Sequence, residues 1–475
     1  MKRSLILYAL VIGFFTFFIW LVIDAGKNLR PQSIQNSTEQ VLNKTSPKTQ
    51  PVKIISDESV WQQLFHNIKN PLGLLLLQIL TILFVSKLFG AAITKIRQPS
   101  VIGEMIAGIF LGPSIMGFIF PSFSEFLFPE KSLGNLQFLS QIGLAFFMFI
   151  IGMELNIEKL KSKAYNAVVI SHASIIFPYF LGVTVSWFLY ERFAPDNVSF
   201  AAFALFMGIA VSITAFPVLA RILQERGLTN TSLGAIVITC AAFDDVTAWC
   251  ILATVIAIAK AGSLAAAMFT ILLTIIFALL MVYAVRPLIK KLSNRHSDGE
   301  SLNKSMVVTV FFVLISSACI TETIGIHALF GSFIAGVIMP RQSKIKKLLI
   351  EKIEDVSILL LLPLFFAFTG LRTQIGLLNE GNLWLTFGLI IFIAVAGKFG
   401  GSALAAKLTG QSWKESFSIG ALMNTRGLME LIVLNIGYDL GILSPALFAI
   451  MVLMALTTTF MTGPLLDLIE YSSKK

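Results

Sequence analysis

Apolar runs of about 20 residues recur along the whole chain, and that is the length an α-helix needs to cross the hydrocarbon core of a bilayer. After a first run at 4–23 they fall at 71–92, 101–119, 133–153, 165–190, 198–223, 231–260, 263–290, 305–323, 326–340, 356–372, 380–408, 414–437 and 444–468. Hydrophobic residues make up 56% of the chain and charged residues 13%, against roughly 25% charged in an average soluble domain. Lipid-exposed backbone is tolerated only in helices or closed barrels, and runs this long are helical, so the sequence describes an all-α polytopic membrane protein.

The net charge of +10 does not imply a nucleic-acid partner, because the Lys and Arg lie in short loops between apolar runs rather than on one basic face. With the N-terminus inside, the loops 93–100, 153–164, 221–230, 286–304, 341–352 and 407–414 and the tail 470–475 share one side and hold most of these residues. That is the positive-inside pattern; it predicts a cytoplasmic C-terminus and residence in the inner (plasma) membrane. Residues 1–23 have the basic start of a signal peptide, but their apolar run is long and no A-x-A site follows, so a membrane anchor is expected, with a signal peptide as the alternative. Residues 24–70 read as a polar periplasmic linker. Near its end Val60, Trp61, Leu64, Phe65 and Ile68 share one helical face after "SDES", which predicts a short interfacial helix. Cys240, Cys250 and Cys319 all fall in apolar runs without CxxC spacing and read as small buried apolar residues.

The chain also repeats itself. "FFMFIIGMELN" at 146–156 resembles "LFFAFTGLRTQ" at 364–374, and "GEMIAGIFLGP" at 103–113 resembles "GSFIAGVIMP" at 331–340. The predicted topology gives the members of each pair opposite directions, so the halves are inverted, as in many secondary transporters that bind substrate near the midplane at discontinuous helices. Two such discontinuities correspond. "SITAFPVLARIL" at 212–223 places Ser212, Thr214 and Pro217 in mid-run, and "ALMNTRGLMELI" at 421–432 places Asn424, Thr425, Arg426 and Gly427 at the matching point; both read as unwound breaks in membrane helices, a Pro kink or polar packing patch being the bland alternative.

Three charged residues stand deep in apolar runs. "TCAAFDDVTAWC" at 239–250 carries Asp244 and Asp245, and "FIAVAGKFGGSALAA" carries Lys398. A charge at bilayer depth costs about 2.5 to 3.5 kcal/mol on insertion scales and is by default a functional-site hypothesis. A buried amine needs a carboxylate partner, so one acid pairs with Lys398; a purely structural pair would leave the second acid unexplained. Two adjacent acids would titrate as one coupled site. A carboxylate holds either a hard monovalent cation or a proton, so competition at one acid couples two fluxes.

Taken together, "SITAFPVLARILQERGL", "AAFDDVTAW", "AVAGKFGG", "PLFFAFTGLRT" and "MNTRGLMELIVLNIG" are similar to the motifs of the monovalent cation:proton antiporter-2 family, which includes bacterial sodium/proton and potassium/proton antiporters and the plant cation/proton exchangers. The resemblance covers 71–469. It implies an inverted-repeat cation/proton antiporter fold with two crossing discontinuous helices and thirteen core helices, to which the N-terminal anchor helix is extra, and a panel that forms a homodimer. Residue by residue, it implies that Asp245 binds the monovalent cation and the proton, that Asp244 is the ion-pair partner of Lys398, and that Thr214 supplies oxygens to the ion. The function expected is antiport of Na⁺ or K⁺ against H⁺, electrogenic, with no catalytic residue and no cofactor besides the transported ions; the other partner is the lipid bilayer.

Other readings compete less well. An intramembrane aspartyl protease needs its two acids on facing helices, whereas consecutive residues on one helix point roughly 100° apart. A sodium-coupled symporter of an organic anion on a similar core is the nearer rival, since Arg426 at the second break is an anion-binding candidate. A channel or a germination-type sensor could use the same unit. Glu154 and Arg372 sit at equivalent helix ends and read as solvated or loop-pairing; Arg426 and Glu430, four apart, read as a helix ion pair or a gate. Glu322 and His327 flank an outside turn, where His327 is a weak pH-sensor candidate.

Overall fold

A computed structural model describes residues 67–96, 98–154, 164–196, 198–229, 231–260, 264–295, 304–340, 344–379 and 382–472. The expected anchor 1–23, nearly all of the 24–70 linker with its interfacial helix, and the last residues of the tail lie outside them. Every regular element among the described residues is helical: α1 (Pro71–Lys95), α2 (Ser100–Leu111), α3 (Leu133–Glu154), α4 (Ala164–Phe193), α5 (Phe200–Ala210), α6 (Phe216–Glu225), α7 (Ser232–Lys260), α8 (Leu264–Leu280) and α9 (Lys304–Ile324). Beyond these come α10 (Ala328–Val337), α11 (Lys344–Val356), α12 (Leu362–Arg372), α13 (Leu383–Val395), α14 (Gly401–Leu408), α15 (Trp413–Met423), α16 (Leu428–Asp439) and α17 (Pro445–Ser472).

Helix α1 shows why this bundle belongs in lipid. Leu72, Leu76, Leu80, Phe84 and Leu88, each four apart, are exposed, whereas the buried face consists of Leu74, Gln78, Ile82, Ser86 and Gly90. A soluble helix has the reverse arrangement. Buried Gln78 donates through Nε2 to Leu127 O and to Ser132 Oγ, both at 2.7 Å, so its two N–H groups find acceptors inside the protein, as a lipid environment favours. The same inversion corrects the reading of the cysteines: Cys240 is buried, but Cys250 and Cys319 are exposed. An apolar run in a membrane helix faces lipid as readily as core, so burial does not follow from hydropathy.

Two expected loops are partly helix. Within 341–352 the described helix α11 begins at Lys344, with Leu349 and Ile353 buried beneath a charged face; the expected span 356–372 is the apolar end of a longer, π-bulged rod. Likewise, after the π-helical turn Met281–Val285 the chain continues as helix over Arg286–Arg295. Charge on one face hides a helix from a hydropathy window without breaking it.

The internal repeat is visible in the packing. A Cβ placed on Gly336 would lie 2.9 Å from Gly152 Cα, and one on Gly108 would lie 2.9 Å from Ala367 Cα, beside Gly370, which itself abuts Gly108. Exchanging repeat-equivalent residues turns the contact Gly108–Gly370 into Gly336–Gly152, which is what a two-fold axis relating inverted halves produces. Glycine at all four positions lets helix backbones touch. Helices α1, α2, α3, α9, α10 and α12 pack chiefly on one another, and α4 to α7 with α13 to α17 form a second set. At the start of α10, Glu322 Oε2 accepts from Ala328 N at 2.8 Å and His327 Nδ1 from Leu329 N at 3.3 Å, so both residues cap that helix.

Candidate functional site

Both predicted breaks exist. The backbone leaves helical geometry between Ala210 and Phe216, and again between Met423 and Leu428, where the two halves bend by 41°. The breaks meet: Ala215 N donates to Thr425 O at 3.1 Å, and Thr214 Oγ1 lies 3.4 Å from Met423 O. Pro217 stands inside the first turn of α6, where its missing N–H would be unpaired in any case, so it starts the second half-helix rather than sitting in the gap. Gly427 is at φ +144°, a conformation that side chains rarely adopt, and a Cβ there would also approach Val218 Cγ2 to 3.1 Å.

Breaking a helix in lipid strands carbonyls at the end of the first half. Here two cations from other helices take them. Arg426 Nη1 donates to Ala210 O at 3.2 Å and its Nη2 to Val211 O; Lys398 donates to Ser212 O. Positive charge at a helix C-terminus also answers the helix dipole. Arg426 Nη1 is in addition 3.2 Å from Glu430 Oε2, both side chains being fully buried. Its guanidinium is therefore engaged by backbone and by its own helix.

Lys398 lies in a π-helical turn, Ala396–Gly400, between α13 and α14. Gly397 brings that turn against α4, for a Cβ there would fall 2.7 Å from Pro178 Cα. The ammonium has three hydrogens, and three strong acceptors surround it: Ser212 O, Ser174 O at 3.1 Å and Asp244 Oδ2 at 3.0 Å. Asp244 is equally saturated. Its Oδ1 accepts from Ser171 Oγ at 2.6 Å, and its Oδ2 from Ser174 Oγ at 2.6 Å, Thr214 Oγ1 at 2.7 Å and Lys398. The pairing of Asp244 with Lys398 is thus present in the geometry. Thr214 gives its proton to Asp244, leaving its lone pairs free.

Asp245 is the contrast. It is as buried as Asp244, yet neither of its carboxylate oxygens has a hydrogen-bond partner among the described residues. The same holds for both polar atoms of buried Asn424. Of the remaining break residues, Ser212 Oγ donates to Ile209 O at 3.0 Å and Thr425 Oγ1 meets Thr462 Oγ1 at 3.2 Å. The supporting residues that escaped the sequence reading are Ser171 and Ser174, three apart on one face of α4, and Thr459, which accepts from Arg426 N at 3.2 Å and donates to Arg426 O at 2.7 Å. Serines at helical spacing in an apolar run, and the "TTT" at 457–459, were the available signals. Arg372 pairs with Asp439 at 2.6 Å, far from these groups in sequence and at the other end of α16.

Inverted repeats, two crossing broken helices and buried carboxylates at the crossing define a secondary transporter of the multi-span helical class. Its membership is more specific: residues 71–469 match the model of the sodium/hydrogen exchanger transmembrane family, and the chain belongs to that family. It is 43% identical over 397 residues to the Na⁺/H⁺ antiporter NhaS4 of Synechocystis sp., covering 83% of this chain and 97% of that one. It is 42% identical to cation/H⁺ antiporter 17 of Arabidopsis thaliana and 34% identical to K⁺/H⁺ antiporter 1 of Saccharomyces cerevisiae, covering 84% and 85% of this chain but 48% and 47% of those proteins. The chain thus spans about half the length of these plant and yeast relatives. Its fold is that of the sodium proton antiporter MjNhaP1 of Methanocaldococcus jannaschii, with a TM-score of 0.62 over 83% of this chain and 95% of that one at 14% identity.

Proposed function

We propose that this protein exchanges a monovalent cation, Na⁺ or K⁺, for protons across a cell's plasma membrane, with cation and proton competing for Asp245. One observation carries the reading. Two neighbouring carboxylates are equally buried, and one is saturated by four donors while the other has no partner among the described residues. A buried carboxylate without donors is poorly tolerated unless something neutralises it, and a proton or a hard cation does so in turn: loading of the cation releases the proton from the Asp245 carboxyl, and its departure restores it. The sodium, potassium and broader cation/proton antiporter names of the relatives support the substrate class and leave Na⁺ and K⁺ both open. The engagement of Arg426 by Ala210 O, Val211 O and Glu430 speaks against the rival reading, symport of an organic anion.

Asp244 and Lys398 supply the second part of the reading. If their pair opens and closes in each cycle and moves a further proton, more than one proton crosses per cation and transport is electrogenic. A potential of 100 mV then contributes about 2.3 kcal/mol per net charge. Fluorescence dequenching in everted vesicles, with Na⁺, K⁺ and Li⁺ added in turn, tests both parts. Asp245→Asn inserts normally and gives no cation-driven proton movement; retained exchange sinks the assignment. Wild-type exchange responds to an imposed potential and Asp244→Asn exchanges without that response; a wild-type rate indifferent to potential removes the electrogenic part alone. The homodimer and the cytoplasmic C-terminus belong to the same proposal and are read by crosslinking and by C-terminal tag accessibility.

A further inference from the structure

The geometry points to Asn424 as the neutral oxygen ligand of the transported cation, and hence as a determinant of cation affinity. The inference rests on the antiport reading above. Seven polar side chains crowd the crossing besides the two without partners, and each has a contact: Ser212 to Ile209 O, Thr214 to Asp244, Asp244 to its donors, Lys398 to three acceptors, Thr425 to Thr462, Arg426 to carbonyls, and Glu430 to Arg426 as an ion pair at 3.2 Å. Asp245 and Asn424 remain, both buried, with all four of their side-chain polar atoms unpartnered among the described residues.

The chain on either side of Asn424 fixes its place. Met423 O lies 3.4 Å from Thr214 Oγ1 and Thr425 O accepts from Ala215 N at 3.1 Å. Asn424 is therefore strung between two residues that touch the first break, and Thr214 in turn touches Asp244, the neighbour of Asp245. Helices α7 and α15 also pack directly on each other. A buried amide left unpaired costs about 1 to 3 kcal/mol, a penalty without purpose if Asn424 only packed. An amide oxygen is a hard donor suited to Na⁺ or K⁺, and unlike a carboxylate it neither binds nor releases a proton. It attracts the cation without competing for H⁺, so it sets affinity while Asp245 sets the coupling.

The test uses the full chain in proteoliposomes, with initial exchange rates measured over a series of Na⁺ and, separately, K⁺ concentrations. Asn424→Ala raises the half-saturating concentration of the cation tenfold or more and keeps the maximal rate within about threefold. Asn424→Ser, which retains a shorter oxygen, falls between Ala and wild type, and it carries the test if the Ala variant does not fold. Ser357→Ala, which removes from the π-helical turn before α12 a buried hydroxyl without a partner among the described residues, leaves half-saturation unchanged. The purified protein gives a second readout: the cation concentration needed to raise its thermal midpoint shifts by the same factor in Asn424→Ala. Unchanged half-saturation in folded Asn424→Ala and Asn424→Ser, or a loss of maximal rate alone, overturns the inference and marks Asn424 as structural. Exchange retained by Asp245→Asn overturns the placement of the competing ions on Asp245, and absence of cation-driven proton movement in the wild type overturns the antiport reading itself. With Asp245→Asn inactive and Asn424→Ala wild-type in half-saturation, only the Asn424 assignment falls.

Discussion

The two ends of α16 hold charge in opposite ways. At its start Arg426 and Glu430 pair at 3.2 Å with side chains 0% exposed; at its end Asp439 meets Arg372 at 2.6 Å with side chains 30% and 17% exposed. The outer pair has soft alternatives as well. Gln137 Nε2 reaches Asp439 at 3.4 Å, and the Arg372 guanidinium lies over the Phe368 ring at 4.1 Å. The crossing has no such slack, because Arg426 and Lys398 also hold the carbonyls that the broken α5 leaves behind. Charge at the midplane thus keeps unwound backbone in lipid, and removing one member strands several partners; at the end of the helix, water takes over.

The largest effect expected from breaking that arrangement is at Lys398. Lys398→Met leaves Asp244 buried without its cation and two carbonyls unpaired, at a cost of about 3 to 5 kcal/mol, read as a thermal midpoint lower by many degrees in detergent. The double variant Asp244→Asn with Lys398→Met, which removes both charges, is more stable than Lys398→Met alone. Equal midpoints for the single and double variants would show that the stranded carboxylate is not what destabilises. The smallest effect is at the other end of α16: Arg372→Ala lowers stability by no more than about 1 kcal/mol, the worth of a pair that solvent screens. A loss there as large as that at Lys398 would erase the difference between the two ends.

How much of this was legible in the sequence follows the same division. The spans, the two breaks and the inverted halves announce themselves because lipid demands long apolar runs and makes every interruption conspicuous: Asp244, Asp245, Lys398 and Asn424 stand out against their neighbours. The residues' own chemistry does not divide the doublet between its members, since adjacent residues share composition and differ only in the direction they face; only the family resemblance assigns Asp244 to Lys398 and Asp245 to the ion. The donors Ser171 and Ser174 were illegible for the converse reason, being small and common in membrane helices. Helix α11 and the continuation at Arg286–Arg295 were missed because charge on one face lowers average hydropathy without disturbing helical hydrogen bonding. Pro217, which the sequence groups with Ser212 and Thr214 in the break, begins the next half-helix instead, a distinction that one residue of register decides.

The central claim is that one carboxylate serves cation and proton by turns, and the dependence of apparent cation affinity on pH tests it most directly. In proteoliposomes of the wild-type chain, with initial rates measured over full cation series between pH 6 and 9, competition at Asp245 predicts that each unit of acidification raises the half-saturating cation concentration by up to about tenfold per competing proton while the maximal rate is reached at every pH. A half-saturating concentration that stays constant while the maximal rate falls with acidity would contradict competition and place the proton on a group other than Asp245.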